Sequence, residues 1–389
     1  MIYDFDQIID RTGTNSIKWE HAGGPDVIPL WVADMDFKAP PCIIEALERC
    51  VAHGIFGYVD VPDAFFQSFI RWYNERHGLK MEREWMLHVT GVVPALTAII
   101  QALTEPGDQV VMLTPVYNCF FSSTHNSGCE DVQVPLTRDE RGRFSIDYDA
   151  LETALASERA RILLFCNPHN PAGRVWSRNE LERVATLALK HDVKVLSDEI
   201  HNEIVMPGFH YTPMASLSPE ICHNTITCIS PTKPWNIAGL KIACVATENA
   251  EWRERIDRAI HINDIGEVNP FGIEAAQAVY TPEGAEWMEQ LCKYIRGNYQ
   301  MVTDFIRSNF PLWVVTPLEG SYLVWVDIRS TGMTSEELTQ MLLEKARIKV
   351  NPGSMYGEAG EGFIRINIAL PRIRLEEALR RMARALKYP

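Results

Sequence analysis

The chain has 389 residues, of which 46% are hydrophobic and 23% charged, with a formal net charge of −14. That balance excludes a disordered chain and leaves room for more than one folded domain. The acidic excess argues against nucleic acid or an anionic membrane as the main partner, because both are bound through basic surfaces.

The start, Met1 to Asp6, lacks the basic stretch and apolar core of a secretory leader, and no apolar run reaches the roughly 18 residues of a membrane span. The nine cysteines are scattered and form no Cys-x-x-Cys pair, so neither a disulfide framework nor a metal site is indicated. A cytoplasmic protein with reduced cysteines is expected.

From about residue 88 to 247, short apolar runs alternate with longer helical patterns. Strands are expected near His88-Val89, Val110 to Leu113, Arg161 to Phe165, Val193 to Leu196, Thr225 to Ile229 and Lys241 to Ala246. The stretch Asn179 to His191 has helical periodicity, and Ser177 with Glu180 makes a capping-box pattern before it. This alternation predicts an α/β fold with a mostly parallel sheet covered by helices. After about residue 282 the pattern becomes helix, strand (Ser321 to Val326), helix, strand (Phe363 to Ile368), helix, which reads as a smaller α+β domain.

Four segments in this frame carry chemistry. Thr90 to Leu96 follows the first strand and opens a helix; the free amides of Gly91, Val92 and Val93 would face a phosphate, although taken alone the segment reads as a plain strand-to-helix turn. In Asn167-Pro168-His169-Asn170-Pro171 the two prolines restrict the backbone around Asn170, whose amide is aimed inward. Asp198 closes the run Val193 to Leu196, where a carboxylate can keep a pyridine nitrogen protonated. Lys233, in Ser230-Pro231-Thr232-Lys233, follows the strand Thr225 to Ile229 and can be the covalent anchor of pyridoxal phosphate, with Ser230 or Thr232 donating to the phosphate. Singly these are a surface lysine, a loop acid and a loop amide. Together, each closes a strand, where open α/β sheets bind their ligands.

On these segments, with Trp31 to Phe37, Phe56-Gly57-Tyr58, Thr114 to Tyr117 and Phe363 to Asn367, the chain resembles the fold-type I pyridoxal-phosphate enzymes of the aminotransferase class I/II superfamily. Within them it is most similar to the MalY/PatB group of carbon-sulfur β-lyases, also called cystathionine β-lyases. The resemblance implies an N-terminal arm (residues 1–45) joining a small domain, a large cofactor-binding domain (46–282) and a C-terminal small domain (283–389). It implies a homodimer with shared active sites, in which Tyr58 reaches the phosphate of the neighbouring subunit. Tyr117 would stack on the cofactor ring, and Arg365 would grip the substrate α-carboxylate unless a structural ion pair occupies it. Asn170 and Ala33 would also border the substrate. Lys241 stands where many relatives carry a phosphate-binding arginine, and His201 where aminotransferases usually place a tyrosine.

The implied activity is β-elimination from L-cystathionine or a related L-cysteine S-conjugate, giving a thiol, pyruvate and ammonia. Lys233, Asp198 and Tyr117 would be its catalytic residues. An aminotransferase is the second reading, and a cofactor-fold protein with a regulatory role through a protein partner is the third.

Overall fold

The structure is a computed structural model, and it describes residues 3–387. Its centre is a seven-stranded sheet built from β1 (Met86–Val89), β2 (Gln109–Thr114), β3 (Glu130–Pro135), β4 (Ala160–Cys166), β5 (Lys194–Asp198), β6 (Thr225–Ile229) and β7 (Ala243–Ala246). The spatial order is β1-β7-β6-β5-β4-β2-β3, and only β7 runs antiparallel to its neighbours. The inner strands are buried along nearly their whole length because helices cover both faces. Helix α1 (Pro41–His53) and helix α2 (Asp63–His77) precede the sheet, α3 (Val92–Leu103) follows β1, and α4 (Arg178–Lys190) links β4 to β5.

The α/β expectation holds, with two differences of detail. Strand β3 is not expected from the sequence because Glu130, Asp131 and Gln133 interrupt its apolar pattern; it lies at the sheet edge, where only one side needs an apolar partner. The run Lys241 to Ala246 begins its strand only at Ala243, since Lys241 adopts a left-handed φ of 52°. The capping box forms as the spacing predicts: Ser177 Oγ accepts from the Glu180 amide, and the Glu180 carboxylate accepts from the Ser177 amide.

A second sheet contains β8 (Val314–Val315), β9 (Leu323–Asp327), β10 (Asn351–Pro352) and β11 (Phe363–Asn367), in the order β8-β9-β11-β10 and antiparallel throughout. The long helix α5 (Pro282–Asn309) leads into it, and α6 (Arg372–Lys387) follows it. Near the start of the chain, Ile28 and Pro29 pair in parallel with Ile348 and Lys349. The segment that follows, Trp31 to Phe37, is thereby carried between the two sheets.

Candidate active site

The carboxyl ends of β1, β2, β4, β5 and β6 open onto one cavity of about 570 Å³, which Ala33 also borders. Asp198 is the last residue of β5 and stands in register between Cys166 of β4 and Cys228 of β6. Its carboxylate is 3% exposed, accepts one hydrogen bond from the Ile200 amide at 3.1 Å, and has no ion pair among the described residues. Burial raises its pKa to about 7, with nearby Glu199 adding to the rise. A cation arriving in the cavity would hold it ionised.

Lys233 stands in the turn after β6, half-buried, with Nζ donating to the Ala33 carbonyl at 2.6 Å. Burial lowers its pKa to about 8, so roughly a tenth of the amine is unprotonated at pH 7, far more than in an exposed lysine. His201 lies at the same edge. Burial, reinforced by Lys233 and Arg365, depresses it to about 3; its imidazole is neutral, and its buried Nδ1 has no hydrogen-bond partner among the described residues.

Arg365 sits mid-strand in β11, opposite Trp325 and Asn351, where both flanking residues are apolar and buried. One terminal nitrogen donates to Asn170 Oδ1 at 3.2 Å and the other to the Trp31 carbonyl at 2.8 Å, while buried Nε has no hydrogen-bond partner among the described residues. No carboxylate pairs with it among the described residues, so the structural ion pair left open by the sequence is absent there. A guanidinium buried this way is matched by an anion such as a carboxylate.

The Trp31 to Phe37 segment is fastened from three directions. Asn367 Nδ2 donates to the Val32 and Asp34 carbonyls at 2.6 and 2.7 Å. Asn236 accepts from the Met35 amide at 2.9 Å and donates to the Phe37 carbonyl at 2.8 Å. Asp36 receives Lys18 at 2.9 Å, Arg11 at 2.7 Å and the Trp19 indole at 3.0 Å. The effect is to fix the Ala33 carbonyl, which also accepts from the Tyr322 hydroxyl at 3.0 Å. Sequence reasoning singled out neither Lys18 nor Tyr322. Tyr322 had one available signal, its place at the start of the strand paired with that of Arg365.

Gly91, Val92 and Val93 border the cavity at the start of α3, where the first-turn amides have no partner within the helix and attract an anion. Thr232 and exposed Lys241 border it as well. Ser230 does not: its hydroxyl donates to the Ile242 carbonyl at 2.7 Å and accepts from the Thr232 amide at 3.1 Å, so it orients Thr232. The half-buried Tyr117 lines the cavity, and burial followed by the Cys119 thiol pushes its phenol upward, keeping it protonated. Tyr58 is fully exposed, in a stretch without regular structure, and does not reach the cavity of its own chain. Glu267 and Asn269 also line the cavity; nothing local in the sequence marks them.

Pyridoxal phosphate fits these donors and acceptors. The unpaired Asp198 carboxylate matches a protonated ring nitrogen, the α3 amides and Thr232 match a phosphate, and the Lys233 amine matches an aldehyde.

Comparison with known proteins agrees with that fit. The family described as aminotransferase class I and II matches residues 25–382. Cystathionine beta-lyase PatB of Bacillus subtilis is 38% identical over 387 residues, spanning 98% of this chain and 100% of that protein. Protein MalY of Escherichia coli is 30% identical over 394 residues, spanning 99% of each. The crystal structure of cystalysin from Treponema denticola, which contains a pyridoxal 5'-phosphate cofactor, superposes with a TM-score of 0.96 at 34% identity, covering 100% of this chain and 99% of that one.

Proposed function

Because the chain belongs to the aminotransferase class I and II family, we propose that it is a pyridoxal-phosphate-dependent carbon-sulfur β-lyase acting on L-cystathionine or a related L-cysteine S-conjugate. The observation that carries the reading is the convergence of Lys233, Asp198 and Asn170 on one cavity at the strand ends, with Arg365 hydrogen-bonded to Asn170 behind its wall. The cofactor, when bound, supplies a ring that withdraws the electrons released as the substrate loses its α-proton.

The chain's own residues do the rest. Arg365, held by Asn170 and the Trp31 carbonyl, takes the substrate α-carboxylate and so sets which bond at the α-carbon faces the ring. Lys233, its amine made available by burial, removes the α-proton and holds it on Nζ. The Ala33 carbonyl, within hydrogen-bond distance, steadies that ammonium. The carbon-sulfur bond then breaks with its electron pair on sulfur, and the proton held on Lys233 Nζ can pass to the leaving thiolate. Water completes the release of pyruvate and ammonia. With the cofactor bound, Asp198 would hold its ring nitrogen protonated, Tyr117 would pack against its ring, and Asn170, beside a neutral His201, would donate to its phenolic oxygen.

The working unit in this reading is a homodimer in a reducing compartment such as the cytoplasm. Support comes from an apolar exposed run, with Val51 at 59%, Ile55 at 73% and Phe56 at 59% exposure leading to Tyr58, and from cysteines that are all free. Among the described residues no helix is long and apolar enough to cross a membrane.

The experiment is pyruvate release from L-cystathionine, L-cystine and S-alkyl cysteines, set beside turnover of amino acids with 2-oxoglutarate. Elimination is expected to lead. Keto-acid exchange matching or exceeding it would establish the aminotransferase reading in its place.

A further inference from the structure

A second cleft, of about 550 Å³, lies on the other side of the turn that carries Asp198 and His201. Its walls are the end of α2 at Arg76 and His77, the segment from Asn202 to Tyr211, and the first turns of α5. Met206, Met288 and Cys292 give it a buried, sulfur-rich floor, and Phe209 adds an aromatic face that is 42% exposed. The Glu203 carboxylate at its base is already satisfied, accepting from the Trp72 indole at 2.8 Å and meeting His77 Nε2 at 2.7 Å.

The rim is different. Arg76 stands 3.8 Å from Glu289, but Lys293 is exposed and has no ion pair or hydrogen bond among the described residues. A soft apolar floor below an unpaired ammonium recognises a small carboxylate with an apolar or thioether tail.

The cleft is wired to the active site by backbone. The turn from Asp198 to Glu203 is closed by Asn202 N donating to Glu199 O at 3.2 Å and Ile204 N to His201 O at 3.0 Å; His201 lines one cavity while Asn202 and Glu203 line the other. The next residues are bonded to the small sheet, with Ser321 N donating to Ile204 O at 2.8 Å and Met206 N to Glu319 O at 2.9 Å. Tyr322, beside Ser321, touches the Ala33 carbonyl that holds Lys233.

We propose that this cleft binds a small carboxylate with an apolar or thioether tail, and that its occupancy adjusts the cofactor site through the Asp198 to Glu203 turn. The adjustment rests on the lyase reading; the binding does not.

The test is calorimetric titration of the holoenzyme with N-acetyl-L-methionine, whose blocked amine cannot engage Lys233, with the cofactor's visible circular dichroism read in parallel. Saturable binding and a changed dichroism are expected. Lys293→Glu should weaken binding by at least about tenfold, the scale of a lost charge-assisted contact. Met288→Trp, which fills the floor, should abolish it, and thermal melts establish that both variants are folded. Absence of saturable binding, affinity unchanged in both variants, or binding with unaltered dichroism overturns the proposal. Binding that persists as expected in a protein releasing no pyruvate would strike the lyase reading and leave the cleft standing.

Discussion

Lys18, which has no exposed surface, places its ammonium 2.9 Å from Asp36 in a buried pair that Arg11 shares from the other carboxylate oxygen at 2.7 Å. Although burial opposes ionisation of Asp36, Lys18, Trp19 and Arg11 together hold it below the usual carboxylate range.

Lys18→Met should therefore destabilise the protein, because removing one partner of a buried pair typically costs about 3–5 kcal/mol and Arg11 keeps the loss near the lower end. Urea denaturation measures it. The same pair sets an acid limit: the folded pKa of Asp36 is depressed, so its contribution is present above the unfolded carboxylate pKa and is lost as pH falls through the folded one. Lys18→Met should flatten that acid limb. An unchanged midpoint at neutral pH would contradict the account.

Borohydride reduction of the yellow holoenzyme followed by peptide mapping should label Lys233. Lys241 is the other lysine bordering the cavity, so a label there would reassign the anchor. Lys233→Ala should lose the label and at least about a thousandfold in turnover, roughly 4 kcal/mol of barrier.

In the cofactor-free chain Asp198 carries the opposite sign from Asp36. Its folded pKa is raised to about 7, so its stability contribution is fully present below the unfolded carboxylate value and is lost as pH rises toward 7. Asp198→Asn should then be more stable than the native apoprotein at pH above about 7 and lose that advantage near pH 4. Yet the same substitution should cost the holoenzyme about a hundredfold in pyruvate release, about 2.7 kcal/mol. Near-native turnover by Asp198→Ala would remove Asp198 from the chemistry.

Arg365→Lys keeps the charge but not the fork. KM for the cysteine conjugate should rise by about tenfold or more, with a smaller change in kcat, because a point charge replaces bidentate contact. Equal losses in kcat and kcat/KM would mean that Arg365 acts only in the transition state.

Mixing Tyr58→Phe and Lys233→Ala subunits tests the shared site. If Tyr58→Phe alone is strongly impaired, hybrids should recover activity through the one site that retains both residues. Verified hybrids with no recovery would mean that each site is built from a single chain.

Much of this site is legible in the sequence because its polar residues end apolar runs: Asp198 closes β5, Asn170 follows β4, and Lys233 follows β6. Arg365 stands out as a charge between buried neighbours. Lys18 does not, since lysine reads as a surface residue until Asp36 and Asp34 fold back onto it. The turned-in hydroxyl of Ser230 depends on the Ile242 carbonyl across the β6-β7 connection, and Arg365 meets Asn170 across 195 residues of chain. Such meetings follow from strand order, which local periodicity does not encode.

Strand order also governs how the protein is born. β1 pairs with β7, so residues 86–89 wait for residues 243–246 before the sheet can close, and Ile28 and Pro29 wait for Ile348 and Lys349. During synthesis the segment that holds Ala33 before Lys233 is among the earliest to leave the ribosome and among the last to find its partners. A nascent chain stopped short of Arg365 has Asp198 and Lys233 but lacks both the Arg365 guanidinium and the Asn367 amide that fastens Val32 and Asp34. The residues proposed to anchor the cofactor and the one proposed to capture the substrate are thus acquired at different moments of translation, the second only as the chain nears its end.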